Sequence, residues 1–321
     1  MTKTKTKEKT KKNQTKKIKT PSSSSFKLTK SKLNKLLYPI TLKEALDDYS
    51  RLKNIDCDKT NITGKSGSKF VNYFTSIERL NTKGRLGLSY FDVYYNFPKL
   101  YKEKKWITNA VNSVFKGKLF KDKENLPKNV KSFYTMYMGN VGLFKPMIAK
   151  HVLCKYNPSV MLDFTMGWGG RLTSACAMNL KEYIGIDLNT NLKPLYEKMK
   201  NTLKPLCDTK ISLHFTDAAT FDYSKLDYDF VLTSPPYYNI EIYNKNDVLT
   251  EEQWKEQFYI PAFTNTYKYL KKGGHYCLNV PDYIYNDICV KILGKYDEKI
   301  SLSLPNHNRK YNEFIYVWHK K

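Results

Sequence analysis

Leu232-Thr233-Ser234-Pro235-Pro236-Tyr237-Tyr238 directly follows a short apolar run, Phe230–Thr233. Two consecutive prolines end a strand and hold the next residues extended, without backbone donors. Such a turn points a carbonyl and a polar side chain inward, with an aromatic ring alongside. The combination suits an exocyclic amine, whose nitrogen lone pair is delocalised into its ring and is a poor nucleophile. The Ser234 side chain and the Pro235 carbonyl could accept the amine hydrogens and shift the nitrogen toward tetrahedral character. Tyr237 could stack on the ring that bears the amine, using its face rather than its hydroxyl. Taken alone, the same residues also read as a plain Pro-Pro strand stop.

A second group lies upstream. Asp163-Phe164-Thr165-Met166-Gly167-Trp168-Gly169-Gly170-Arg171 leaves an apolar strand and enters a helix. Glycines in that place turn the chain tightly and let a ligand approach the backbone. Asp187 ends the next strand, 18 residues after Gly169. An acidic side chain there can take both hydroxyls of a ribose, or serve as a helix N-cap. The glycines run Gly167-x-Gly169-Gly170, which is not the GxGxxG of dehydrogenases. Asp217, after a third strand, could accept from an adenine amino group or be an ordinary loop residue.

The elements that would carry these residues alternate as in a parallel sheet. Val160–Phe164, Tyr183–Asp187, Ile211–Phe215, Phe230–Thr233 and His275–Val280 read as strands. Helices are expected over Leu172–Leu180, about Leu192–Leu203, and Glu251–Leu270, the last stopped by Lys271-Lys272-Gly273-Gly274. Ile300–Leu304 and Glu313–Trp318, separated by the polar turn Pro305–Lys310, read as a closing antiparallel hairpin. The expected fold is α/β, a Rossmann-like sheet built from five βα steps with helices on both faces. Residues 129–155 add apolar positions at helical spacing, with Phe144, Met147, Ile148 and Val152 on one stripe. Residues 32–128 read as an accessory α or α+β region, with short helical patterns at Leu42–Leu52 and Trp106–Phe115 and an aromatic patch around Tyr90, Phe91, Tyr94 and Tyr95.

With both motifs in hand, residues 142–319 resemble the class I methyltransferases, and the motifs resemble those of DNA amino-methyltransferases. In that family the Gly-rich turn and the acid after the second strand bind S-adenosylmethionine, and a [DNS]-P-P-[YFW] motif binds the target amine. Phe144-Lys145-Pro146 is similar to the segment that packs on the methionine end of the cofactor. The resemblance implies S-adenosylmethionine contacts at Lys145, Asp163, Thr165, Gly167, Gly169, Asp187 and Asp217. It implies catalytic roles for Ser234, Pro235, Pro236 and Tyr237, with no metal. Where the family has Asp-Pro-Phe-x-Gly-x-Gly, this chain has Phe164 for Pro and Thr165 for Phe. Ser234 replaces the Asp or Asn commoner in adenine-N6 enzymes and is more typical of cytosine-N4 enzymes. The implied activity is methylation of a base amine in DNA, the base being flipped out of the stack if the substrate is duplex. The alternatives are a base amino-methyltransferase of tRNA, rRNA or mRNA, or a non-catalytic nucleic-acid-binding partner subunit.

Composition agrees with a polyanionic partner. The formal net charge is +25 and the isoelectric point near 9.5. Residues 1–36 hold 13 lysines and one glutamate, so +13 remains on the rest of the chain. Lysines placed on phosphates release condensed counterions and favour binding, although lysine-rich usage could equally reflect an AT-rich coding sequence. Residues 1–31 are Lys-, Thr- and Ser-rich with almost no apolar content, so a disordered basic tail is expected there. The expected organisation is therefore tail 1–31, an accessory region 32–128 that is also the candidate for nucleic-acid recognition, and catalytic domain 129–321. Cys57, Cys154, Cys176, Cys207, Cys277 and Cys289 show no metal spacing and are expected to be reduced thiols. No apolar run spans a bilayer and no secretory signal begins the chain, so an intracellular, cytoplasmic or nuclear, location is expected.

Overall fold

In the computed structural model the described residues are 23–84, 86–115, 118–120, 124–139, 141–238, 241–242, 249–302 and 313–321. Seven strands form one sheet: β1 (Val160–Asp163), β2 (Glu182–Ile186), β3 (Lys210–His214), β4 (Phe230–Thr233), β5 (His275–Pro281), β6 (Glu298–Ser301) and β7 (Glu313–His319). Their order is β3-β2-β1-β4-β5-β7-β6, parallel except for β7, which runs antiparallel to both its neighbours. The expected Rossmann-like sheet with a closing antiparallel hairpin is thus present. The turn expected at Pro305–Lys310 lies outside the described residues.

Alternation along the strands builds two cores. Met161, Tyr183, Ile211 and Phe230 face one layer of helices, and Leu162, Ile184, Val231 and Tyr276 face the other. The first layer comprises α2 (Leu42–Asn54), α3 (Ser68–Asn81), α7 (Pro146–Tyr156), α8 (Gly170–Ala177) and α9 (Lys193–Leu203). The second is formed by α10 (Glu251–Trp254) and α11 (Ile260–Tyr269), joined by a π turn, and by the helical run 282–293. A third core belongs to α1 (Lys30–Leu37), α4 (Tyr90–Glu103), α5 (Lys105–Val114) and α6 (Leu126–Tyr137), a helical lobe into which the end of α3 inserts Leu80.

Several expectations change. The tail does not extend to residue 31: Phe26 is buried, its ring 5.2 Å from Tyr94 and 6.2 Å from Phe97. One aromatic side chain recruits the segment, where composition averages it away; residues 1–22 lie outside the described set. The packing does not divide at residue 129 either. Helices α2 and α3 complete the sheet's own core, whereas α6 belongs to the helical lobe. The apolar stripe over 129–155 is two helices, α6 and α7, separated by residues 138–145. Finally, the β3-to-β4 crossing carries only a 3-10 turn, Tyr223–Lys225, rather than a full helix. A groove of about 400 Å³ consequently opens over Ile184, Ser212 and His214, and none of the motif residues lines it.

Two further connections hold distant parts of the chain together. Lys83–Gly84, just before α4, pairs antiparallel with Glu241–Ile242, just after the Pro-Pro motif. Lys150 of α7 is buried and caps α2, donating to the carbonyls of Leu52 and Lys53 at 2.6 and 3.0 Å. Beside it, Cys57 and Cys154 form a disulfide across 97 residues, so these two of the six cysteines are not reduced thiols. Spacing could not reveal the pair, because proximity is created only when α2, α3 and α7 pack. No helix among the described residues is long and apolar enough to cross a membrane. Cross-links that close long loops stabilise by about 2–4 kcal/mol, so Cys57→Ser should lower the unfolding free energy by that amount. Urea denaturation of the variant, compared with oxidised and reduced wild type, checks this; reduced wild type should match the variant.

Candidate active site

The strand order reverses between β1 and β4, and ligands of open α/β sheets bind at that reversal, outside the carboxyl ends of the strands. Both motifs identified in the sequence leave the sheet there. The Gly-rich turn follows β1 and the Pro-Pro turn follows β4, and they are joined directly. Thr233 Oγ1 donates to Asp163 Oδ1 at 2.8 Å, which leaves Thr165 as donor in the 2.6 Å contact between the two threonine hydroxyls. The Thr165 N–H also donates to Thr233 Oγ1, at 3.2 Å.

Asp163 is fully buried, and its carboxylate accepts from Arg171 Nε at 2.7 Å, from the Tyr183 hydroxyl at 2.8 Å and from Thr233, so both of its oxygens serve the scaffold. Arg171 is nearly as buried. Burial opposes its charge, but the Asp163 carboxylate outweighs that and raises its pKa. Its guanidinium also donates to the Thr165 carbonyl and lies 4.9 Å from the centroid of the Phe144 ring.

The turn itself is shaped by glycine. Gly167 and Gly169 hold φ of 54° and 86°, which side chains rarely adopt. At Gly170 a Cβ would lie 2.0 Å from the Phe144 carbonyl oxygen, so the strand-entry segment rests directly on the first turn of α8. Ser174 Oγ then donates to the Pro146 carbonyl at 2.6 Å. Phe144-Lys145-Pro146 is thereby held beside the Gly-rich turn, with Lys145 as the N-cap of α7. From the other side the Tyr196 hydroxyl reaches the carbonyls of Met166 and Gly167, at 3.0 and 3.1 Å.

Asp187 stands one residue beyond β2, half-buried, and accepts the N–H groups of Gly167 at 2.8 Å and Asn189 at 2.9 Å. Burial pushes its carboxyl up to about 6, against the effect of those two donors. Asp217, beyond β3, accepts the Ala219 N–H at 2.8 Å within its own turn.

Beyond β4, Ser234 and Tyr237 converge on Asn279 of β5. Ser234 Oγ donates to Asn279 Oδ1 at 3.2 Å, the Tyr237 hydroxyl donates to the Asn279 carbonyl at 3.0 Å, and the two hydroxyls are 3.1 Å apart. Asn279 is in turn fixed by donating to the Phe314 carbonyl of β7. The Pro236 carbonyl is taken by the Tyr259 hydroxyl, whereas among the described residues none donates to the Pro235 carbonyl. Tyr238 turns back with φ of 52° and stacks on Tyr283 at 5.8 Å. The Tyr237 hydroxyl, set aside in the sequence reading, is thus an anchor of the turn.

Arg171, Tyr183, Tyr196 and Asn279 were missed by motif reading. Asn279 had a signal: it is the one amide in His275-Tyr276-Cys277-Leu278-Asn279-Val280-Pro281, an otherwise apolar strand interior. Arg171 had one too, as the cation that follows a buried-strand aspartate.

No protein-family model matches the chain, and no protein of curated function matches it. Solved structures do. TrmN from Thermus thermophilus is 16% identical, with 55% of this chain and 49% of that chain covered and a TM-score of 0.39. An rRNA methylase from Streptococcus thermophilus is 14% identical over 56% of this chain and 98% of that chain, at 0.38. The O-methyltransferase from a trans-AT PKS multienzyme of Brevibacillus brevis, in complex with S-adenosyl-L-homocysteine, is 14% identical over 55% and 72%, at 0.36. The chain spans about half the length of TrmN.

Removing one partner of a buried ion pair strands the other charge. Arg171→Ala should therefore cost about 3–5 kcal/mol of stability, and Tyr183→Phe about 1 kcal/mol. Urea midpoints at fixed m-value measure both, and a loss below about 1 kcal/mol for Arg171→Ala would remove the pair from its structural role.

Proposed function

We propose that this chain is an S-adenosylmethionine-dependent methyltransferase acting on an exocyclic amino group of a nucleic-acid base. The observation that carries the reading is the Thr165–Thr233 connection, which sets the Gly-rich turn and Ser234-Pro235-Pro236-Tyr237 side by side at the reversal of strand order. The residues fit the cofactor. Asp187 is a half-buried carboxylate above which a ribose can place two hydroxyl donors, and the glycines leave the turn open to close approach. Lys145, Thr165, Gly167, Gly169, Asp187 and Asp217 are the residues that would hold it. When bound, it supplies an electrophilic methyl group on a sulfonium.

The chain's own residues do the rest. Asn279 offers acceptors to the hydroxyl protons of Ser234 and Tyr237, which turns a Ser234 lone pair toward the crevice. That lone pair and the Pro235 carbonyl are the two acceptors for the amine hydrogens. Binding both hydrogens concentrates the nitrogen lone pair and orients it. Tyr237, braced by Asn279, is placed to stack on the base. The proton left on nitrogen after transfer goes to water. The basic charge of the chain suits either polymer, and Ser-Pro-Pro-Tyr favours the DNA amino-methyltransferase reading. The geometry itself is common to DNA and RNA amines, so the deciding experiment separates them. The protein is incubated with labelled S-adenosylmethionine and separate DNA and RNA pools, and the labelled nucleoside is identified. A base methylated on its amino group in either pool supports the proposal; label in neither sinks it.

Ribose recognition needs Asp187 ionised, and its carboxyl in the free protein titrates near 6. Cofactor affinity should accordingly be full above that pH and fall by up to tenfold per unit as pH drops below about 6. Asp187→Asn should flatten the profile and weaken binding by about 1.5–3 kcal/mol, measured by calorimetric titration.

Tyr237→Ala should slow single-turnover methyl transfer by one to a few orders of magnitude at nearly unchanged cofactor affinity, because stacking contributes about 1–3 kcal/mol and misplacement of the amine adds to it. Tyr237→Phe and Ser234→Ala should each slow it by roughly tenfold, since each removes a hydrogen bond of the Asn279 network. A full rate in Tyr237→Ala would end the stacking role.

A further inference from the structure

The helical lobe presents a surface that the proposed chemistry does not use. Residues 90–140 contain ten lysines against four carboxylates. Four of the lysines, Lys99, Lys102, Lys104 and Lys105, are exposed at the junction of α4 and α5. Trp106 follows them at once. It keeps 43% exposure although its ring stacks on buried Phe133, with centroids 6.3 Å apart and planes 18° from parallel. The indole is thus pre-stacked on one ring and still open to water, beside four exposed lysines and one exposed carboxylate, Glu103, and among the described residues it has no hydrogen-bond partner.

We propose that this surface binds unpaired nucleic acid, with a base stacking on Trp106 and neighbouring phosphates on Lys99, Lys102, Lys104 and Lys105. Charge complementarity names the occupant as a polyanion, and the exposed indole selects one whose ring faces are free, which duplex interiors do not offer. The lobe that carries this surface is joined to the chain beyond the Pro-Pro motif by the pairing of Lys83–Gly84, which precedes α4, with Glu241–Ile242. The inference rests on the nucleic-acid reading above and extends it to where the strand is held.

Intrinsic fluorescence provides the test. Of the four tryptophans, Trp168 and Trp318 are buried and Trp254 is half-buried, which makes Trp106 the exposed reporter. Single-stranded oligo-dT of about 16 nucleotides should quench wild-type emission, and the same length of duplex should not. Trp106→Phe should bind with the quench removed. Trp106→Ala should bind roughly fivefold to a hundredfold more weakly. Replacing all four lysines by serine leaves the core untouched and should lower the salt-dependence slope by about 3. Equal quenching by duplex, or unchanged affinity and slope in the lysine variant, overturns the proposal. Methyl transfer from labelled cofactor on the same proteins keeps the two readings apart. If wild type methylates a pool and the variants do so with unchanged KM, the surface falls and the chemistry stands. If the variants lose the strand while wild type methylates nothing, the chemistry falls and the surface stands.

Discussion

Arg171 and Asp163 are both almost wholly removed from water. Desolving two charges costs several kcal/mol each and is offset only when geometry and further hydrogen bonds are good. Here the further bonds come from Tyr183 on β2 and Thr233 on β4, so one carboxylate at the end of β1 touches both flanking strands. Arg171 gives a further donor to the Thr165 carbonyl, and its guanidinium lies over the Phe144 ring. The pair therefore fixes the spacing of three strand ends, the path of the Gly-rich turn and the segment that enters α7.

The sheet was legible because parallel strands buried on both faces read as apolar runs, and because prolines and glycines mark where the chain leaves them. All five parallel strands lie within a residue or two of where the pattern puts them. That Thr165, Gly167, Gly169, Asp187 and Ser234 leave the sheet at strand ends was legible for the same reason: each follows its strand directly in sequence. The scaffold role of Asp163 was not legible, because the sequence shows an acid at a strand end but not that the arginine eight residues later folds back over it. Asn279 is separated from Ser234 by 45 residues and meets it only through strand pairing. The tail boundary failed for a different cause. Disorder is a property of averaged composition, and Phe26 is a single residue with an aromatic pocket waiting for it.

The lobe and the sheet are less separate than the chain order suggests. Helices α2 and α3 lie between α1 and α4 in sequence yet complete the sheet's core, so α4, α5 and α6 are an excursion from a layer already begun. Exposed lysines and an exposed indole accumulate on that excursion, while the half-buried carboxylate and the paired hydroxyls stay at the strand ends. The proposed strand-holding surface and the proposed chemistry thus fall on different parts of one chain.

The disulfide gives that excursion a topological character. Cys57 and Cys154 lie 5.4 Å apart at Cα and bracket α3, the whole of α4, α5 and α6, and most of α7. Oxidised, the protein is a ring with two arms, and α4, α5 and α6 form the far side of the ring. A single backbone cut anywhere within it leaves one covalent molecule rather than two fragments. Such a nicked chain would run intact in electrophoresis until a reductant opened it, and its lobe would remain leashed to the sheet even where its own packing had been lost.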